Sequence, residues 1–269
     1  MGKKVNATIF RSGLKNSDWS FKYTNQNSEE SSIFLYKNIE IQNYINKIFK
    51  HYDIFVTNCK IEHTTSTVKI LIFICKLNFA KNKLETNKHV LSNIITKILT
   101  LSTNLYLKNK ITIIKTQDLS EKFQIKINKN SNYLYVYKKQ IRSFKKFLKD
   151  PMQKNIIKIL FIVISEKNSA KLLADIISLY LTRNKKKHNY LLFLIKKVTT
   201  NLISTNFSSI KGIKIIITGR FNGAPRAKSK NLTIGIIPLQ SLNAKIDYYN
   251  STAFTQNGTF GVKVWICEK

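Results

Sequence analysis

Apolar side chains recur at three- and four-residue spacing in four stretches of the chain, which predicts four helices that each have one apolar face. These stretches are Ile33–Phe49, Val90–Leu101, Leu172–Leu181 and Leu191–Leu202. The apolar stripes of the last two are predicted to be packing surfaces without a direct functional role.

Shorter apolar runs rich in β-branched residues predict strands. In the first half of the chain these runs are Ile54–Glu62, Thr67–Leu77, Lys110–Lys115 and Tyr133–Tyr137. In the C-terminal part they are Lys211–Arg220, Ile234–Leu242, Ala244–Tyr249 and Thr259–Cys267. The predicted fold class is therefore α+β, ending in an α/β domain of two helices packed on a small four-stranded sheet.

Positive charge dominates the polar positions. The chain has 46 Lys and Arg residues against 14 Asp and Glu, a formal net charge of +32. A folded chain with this excess repels itself unless a polyanion neutralises it, so RNA or DNA is the first predicted partner and an anionic membrane surface the second. The densest basic loop is predicted at Phe221–Lys230, where an Asn-Gly pair and Pro225 interrupt regular structure.

The chain lacks the side-chain groupings that most enzymes and metal sites need. Its acids are dispersed, and Gly219–Gly223 lacks the Gly-Lys-Ser/Thr ending of a phosphate-binding loop. Cys59 and His63 are four residues apart on a predicted strand, which is about 13 Å at roughly 3.3 Å per residue and too far to share one ion. The three cysteines show no Cys-x-x-Cys spacing. We therefore expect no enzyme, no cofactor and no metal.

Targeting and composition suggest where the chain works. No apolar run reaches the roughly 18 residues that a membrane span needs, and neither a signal peptide nor a presequence is expected. Glycine (8) and proline (3) are scarce, whereas Lys, Asn and Ile, which have AT-rich codons, are abundant. We hypothesise a gene of an AT-rich organelle genome, in the first place mitochondrial, whose product is used in that organelle.

A specific residue pattern runs through the C-terminal part. It consists of Gly219-Arg220, Gly223-Ala224 and Ala227, then Gly235 to Asp247-Tyr248, then Gly258 to Trp265. With the opening Met1–Asn6, Arg11, Gly13 and Trp19, this pattern resembles the uS3 family of small-subunit ribosomal proteins. Lys3 stands where that family normally has Gln.

The resemblance implies a type II K-homology domain followed by the family's C-terminal domain. We expect an RNA-contacting arm at 1–32, a K-homology-like domain at 33–165 with an insertion at about 103–155, and the C-terminal domain at 166–269. Because residues 169–177 resemble the family segment that follows the last strand of the first domain, Asn155–Ile164 is predicted to be that strand.

The loop that should carry the family's Gly-x-x-Gly, near Lys76–Glu85, contains no glycine. The predicted K-homology domain is therefore degenerate, because this loop lacks the glycines that permit a close backbone approach to nucleotides. At this loop we expect only electrostatic RNA contacts from Lys76, Lys81 and Lys83.

The resemblance also implies partners and contact residues. The partners are small-subunit rRNA in the head, messenger RNA (mRNA) where it enters the subunit, and neighbouring head proteins; no membrane and no second copy of the chain are expected. Contacts with rRNA are predicted for Lys3, Lys4, Arg11, Arg220, Arg226, Lys228 and Lys230. Contacts with mRNA are predicted for Arg183, Lys185, Lys186 and Lys187.

Two rival functions remain open. An organellar nucleic-acid enzyme, such as an intron maturase or endonuclease, would also be basic but would need clustered carboxylates to hold magnesium. A basic membrane-surface protein is suggested by Lys138–Lys149, which is amphipathic at helical spacing and would otherwise lie on RNA or on a ribosomal neighbour.

Overall fold

The computed structural model describes residues 5–13, 19–25, 27–52, 54–64, 66–76, 96–97, 99–104, 107, 110–120, 151–165, 170–184, 188–204 and 208–269. The chain divides into two compact units. We call Asp18–Lys122 the N-terminal unit, and Met1–Ser17 with Phe123–Lys269 the C-terminal unit. The division therefore falls earlier than the predicted boundary at 165. Both units mix helices and strands, which confirms the α+β class.

The N-terminal unit is a sheet with a long helix packed on it. Strands β1 (Phe21–Lys22), β2 (Ile54–His63), β3 (Thr67–Lys76) and β4 (Ile111–Asp118) lie in the order β1-β2-β3-β4, and helix α1 spans Ser28–His51. Only β2 and β3 are antiparallel. Helix α1 buries Ile41, Ile45 and Phe49, the stripe expected from its spacing. Of the helix predicted at Val90–Leu101, the described residues 96–97 and 99–101 are helical.

Strand β4 corrects the predicted extent of the insertion. It pairs in parallel with β3 along its whole length, from Thr67↔Ile111 to Ile74↔Asp118, so it belongs to the sheet. Lys76 Nζ lies 3.2 Å from Asp118 Oδ2, and the two side chains are only 16% and 5% exposed. The expected RNA contact of Lys76 is therefore wrong, because this ammonium is held inside its own unit. Lys81 and Lys83 lie outside the described residues.

The residues that resembled metal ligands are core side chains. His63 Nε2 lies 2.6 Å from Asn38 Oδ1 in a buried pair. Burial, reinforced by Lys110 and Lys37, lowers the pKa of His63 to about 4, so the imidazole is neutral at pH 7. Cys59 and Cys75 are buried, and burial raises the pKa of the Cys75 thiol to about 12. In the described part of the chain, no three His, Cys, Asp or Glu side chains come together in a possible ion site.

The C-terminal unit contains the second sheet. Its antiparallel strands are β5 (Ile210–Gly219), β6 (Lys228–Gly235), β7 (Ile246–Thr255) and β8 (Gly258–Glu268), in the order β6-β5-β8-β7. Helix α3 (Ala170–Arg183) packs on β7 and β8, and α4 (His188–Ile203) packs on β5 and β6. The predicted two helices on a four-stranded sheet are confirmed. None of the helices in the described ranges is long and apolar enough to span a bilayer.

Helix α2 (Pro151–Ser165) packs against α3 and α4, and it replaces the strand predicted at Asn155–Ile164. Residues 155–157 and 159–164 are all buried. A helix that is buried on nearly all sides shows the same continuous apolar run as a buried strand, so periodicity does not distinguish the two. The overlooked signal was Pro151, because proline favours the first position of a helix.

One further strand prediction is wrong, and the described part of the N-terminus has structure of its own. The strand predicted at Ile234–Leu242 is instead β6, which ends at Gly235 with φ +74°, and residues 236–245 form a loop. The described part of the expected arm at 1–32 is folded: β1 pairs with β2, and α1 already begins at Ser28. Ala7 is buried against Ile246 and Cys267.

Candidate nucleic-acid interface

The basic residues predicted after β5 lie at one end of the second sheet. Gly219 at the end of β5 pairs with Lys228 at the start of β6, so the connection between them stays at that edge. We call Arg220, Arg226, Lys228 and Lys230 the basic end. The first three side chains are exposed and Lys230 is half-buried. Lys228 and Lys230 are thus strand residues rather than members of a loop, which gives them fixed positions.

A short 3-10 turn, Phe221–Gly223, holds the start of the basic end. Asn222 and Gly223 take left-handed conformations with φ of +54° and +78°. Arg220 Nε donates a hydrogen bond of 2.8 Å to the Ala224 carbonyl, which closes the turn. This bond uses one of the five guanidinium N–H groups and leaves the other four for an external acceptor such as a phosphate.

Lys230 connects the basic end to helix α4. Its Nζ donates to Asn189 Oδ1 and lies 4.5 Å from the centre of the Phe221 ring. The ammonium is therefore already partly satisfied by a hydrogen bond and a cation–π contact. Among the four cations, Lys230 is the one best suited to positioning its neighbours, whereas Arg220, Arg226 and Lys228 are better placed to reach a ligand.

His188, at the start of α4, joins the turn to the connection between α3 and α4. The residue is 2% exposed. Its Nε2 lies 2.8 Å from the Asn184 carbonyl, and its Nδ1 accepts a 3.3 Å hydrogen bond from the Asn222 backbone N–H. A carbonyl only accepts and a backbone N–H only donates, so both bonds require the neutral tautomer with hydrogen on Nε2. The sequence pattern gave His188 no role, and no local signal marks this one.

These contacts bring two distant basic segments together. Arg183 is the last residue of α3, and Asn184 follows it directly. Because Asn184 is tied through His188 to Asn222, the exposed Arg183 lies at the same end of the unit as Arg220. The predicted contacts Lys185, Lys186 and Lys187, as well as Lys3 and Lys4, lie outside the described residues.

Arg11 does not belong to this interface. Its guanidinium donates four hydrogen bonds to backbone carbonyls, those of Ala7, Leu239 and, twice, Ser241, at 2.6 to 3.2 Å. The side chain is only 9% exposed. The predicted RNA contact of Arg11 is therefore wrong, since this residue uses its charge to hold the N-terminal segment against the 236–245 loop.

Known proteins resemble this chain, one of them over nearly its whole length and others over its C-terminal part. Residues 194–266 match the family model described as "Ribosomal protein S3, C-terminal domain". A relative from Euglena longa, "Small ribosomal subunit protein uS3c", is 28% identical over 273 residues, which cover 99% of each chain. These similarities support a uS3 family protein.

Other uS3 relatives match only the C-terminal part. "Small ribosomal subunit protein uS3" of Fusobacterium nucleatum is 48% identical over 73 residues, which are 26% of this chain and 33% of that protein. "Small ribosomal subunit protein uS3c" of Tetradesmus obliquus is 48% identical over 73 residues, which are 27% of this chain and 10% of that protein. The match to the family model includes the whole basic end, whereas Arg183 lies before it.

Proposed function

We propose that this chain is a structural protein of the small ribosomal subunit of an organelle, where it binds rRNA in the head of the subunit. The observation that carries the proposal is that Arg220, Arg226 and Lys228 are exposed at one end of the second sheet, on positions held by β5, the 221–223 turn and β6. Cations that a folded core holds at fixed spacing neutralise a folded RNA better than cations on a flexible tail, because less side-chain freedom is lost on binding. The uS3 relatives, all named as small ribosomal subunit proteins, support this reading.

The rRNA contacts are proposed for Arg220, Arg226 and Lys228, with Lys230 as their support. Phosphate contacts of this kind fix position without reading sequence. We assign the chain no catalytic step and no cofactor, since the side chains gathered at the basic end are donors of hydrogen bonds and positive charge.

The N-terminal unit is proposed to be a K-homology domain of type II. Its helix, its antiparallel pair of strands, the helical residues 99–104 and the parallel strand β4 follow one another in the order expected of that domain. The last strand of the proposed domain is then β4, which lies within the stretch 103–155 that was expected to be an insertion, and α2 belongs to the C-terminal unit. Two predicted segments lie outside the described residues. They are the strand at Tyr133–Tyr137 and the amphipathic stretch Lys138–Lys149, for which RNA, a ribosomal neighbour and a membrane surface remain possible partners.

The organelle is proposed to be a mitochondrion. Relatives of the uS3c type point to an organelle ribosome. Glycine and proline are scarce, and residues with AT-rich codons are abundant. This composition favours an organelle genome as the source of the gene.

Sedimentation of fractionated organelles tests this function. We expect the chain to co-migrate with small ribosomal subunits of purified mitochondria after a high-salt wash. Protein at the top of the gradient would favour a free nucleic-acid enzyme, protein in the membrane fraction would favour the membrane-surface alternative, and co-migration with plastid subunits would move the proposal to that organelle.

Arg183, Lys185, Lys186 and Lys187 are proposed to line the path by which mRNA enters the subunit. Replacing all four by Gln should slow translation through a stable mRNA hairpin more than translation of an unstructured message, because a cationic path stabilises the separated strand. Translation rates of the two messages on subunits carrying the variant measure this difference. Equal slowing of both messages would reject this role and leave rRNA binding untouched.

A further inference from the structure

The N-terminal half of α1 exposes apolar side chains on the face opposite the core. Ile33, Tyr36 and Ile39 follow one another at three-residue spacing, and Leu35 lies one turn before Ile39. These four side chains are between 43% and 62% exposed. Single exposed apolar residues are ordinary on protein surfaces, but a contiguous group on one helix face is typical of an interaction site.

The charge of this face differs from that of the rest of the chain. Residues 28–41 contain Glu29, Glu30 and Glu40 against one cation, Lys37, in a protein whose formal net charge is +32. The Tyr36 hydroxyl donates to Glu40 Oε1, which lays the ring along the helix beside that carboxylate. An apolar face bordered by carboxylates repels phosphates and therefore disfavours RNA.

The same argument disfavours a lipid surface. Helices that lie on anionic membranes carry Lys and Arg beside their apolar face, whereas glutamates border this one. The surface complementary to an acidic, apolar one has an apolar centre and a basic rim, so a basic protein is the matching partner. Proteins that neutralise RNA within one particle are basic, so a neighbour in the same particle has the required chemistry.

We propose that Ile33, Leu35, Tyr36 and Ile39, bordered by Glu29 and Glu40, form the docking surface for a basic protein neighbour in the small subunit. That the partner is a protein of the small subunit rests on the proposed function, whereas the existence of the surface rests on the side chains of α1 alone. The apolar side chains supply the buried centre of the contact, and the carboxylates select a cationic rim and exclude RNA from this side of the unit.

A photo-cross-linker identifies the occupant directly. The full chain with p-benzoylphenylalanine in place of Tyr36 is assembled into small subunits, irradiated and analysed by mass spectrometry. The expected product joins position 36 to one basic protein of the subunit. Cross-links to rRNA, to lipid or to a second copy of this chain, or no cross-link at all, would overturn the proposal.

A matched pair of variants tests the energetic role of the surface. The double variant Ile33→Gln with Ile39→Gln should lower retention of that neighbour in salt-washed subunits about tenfold, because the apolar centre of a contact contributes most of its affinity. The control, Ile111→Gln with Ile113→Gln, changes two exposed isoleucines on β4 of the same unit and should retain it. Equal retention in both variants would overturn the docking surface. Absence of the unmodified chain from small subunits would instead reject the proposed function.

Discussion

Replacing Arg220, Arg226 and Lys228 together by Gln should weaken binding of the full chain to rRNA of the subunit head about a hundredfold. All three side chains are exposed on positions fixed by β5, the 221–223 turn and β6. At about 1 kcal/mol for each charge-assisted phosphate contact, three contacts amount to about 3 kcal/mol, or roughly two decades in the dissociation constant. The loss should be similar for rRNA variants of changed sequence but equal shape, because phosphate contacts do not read bases.

The salt dependence of this binding gives a second readout. Each lost phosphate contact should reduce the slope of log affinity against log salt by about 0.7 to 0.9, so the triple variant should lose about 2 to 3 units of slope. Filter binding at several KCl concentrations measures both quantities, and thermal unfolding confirms that the variant is folded.

A control separates local geometry from net charge. Lys196, Lys211 and Lys263 are exposed cations of the same unit outside the basic end, and their replacement by Gln removes the same three charges. This control should lose much less affinity than the triple variant. Similar losses in the two variants would mean that the RNA responds to total charge alone, and the basic end would cease to be a site.

The second sheet could be predicted from the sequence because its signals are local. Strands β5 and β8 alternate apolar and polar positions, and glycines lie at their ends, so their faces and approximate ends follow from a few neighbouring residues. Helices α3 and α4 likewise show their packing stripes within single turns. The error at β6 was one of position, since the apolar pattern continues past Gly235 although its left-handed backbone ends the strand.

The N-terminal unit was predicted less well because its decisive contacts are non-local. Strand β4 is correct as a strand, but its parallel pairing with β3 joins residues more than forty positions apart, and no local pattern specifies that partner. Helix α2 was mistaken for a strand since a continuous apolar run fits both structures. The resemblance then placed the last strand of the sheet on the wrong segment.

The basic end was predicted by composition, and its geometry was not. A count of cations does not show that Arg11 donates four of its N–H groups to backbone carbonyls. Nor does it show that Arg220 donates one N–H group to a carbonyl and leaves four for an external acceptor. Nor does a lone histidine in a basic run indicate that His188 will join two segments by a specific tautomer. Both sets of contacts depend on which backbone groups the tertiary fold brings near these side chains, and no local sequence pattern specifies that.

Gly235→Ala should lower the free energy of unfolding of the C-terminal unit by about 3 kcal/mol or more. Gly235 has φ +74°, and a Cβ there would lie 2.2 Å from the Lys211 carbonyl oxygen and 2.9 Å from the Gly212 Cα. The left-handed conformation alone costs an L residue about 1 to 2 kcal/mol. The remainder comes from the backbone of β5, which must move away and weaken the Ile236 N–H to Lys211 carbonyl hydrogen bond.

Gly223→Ala is the matched control, because it has nearly the same φ, +78°, but its Cβ would meet only Asn257 Nδ2 at an ordinary 3.5 Å. This substitution should lower the free energy of unfolding only by the cost of the left-handed conformation, about 1 kcal/mol. Urea unfolding followed by Trp265 fluorescence in a Trp19→Phe background reports on the C-terminal unit alone, since the chain has two tryptophans. Equal destabilisation by the two substitutions would show that β6 does not press against β5 at Gly235. The close approach that ends β6, and directs the 236–245 loop to Arg11, would then be absent.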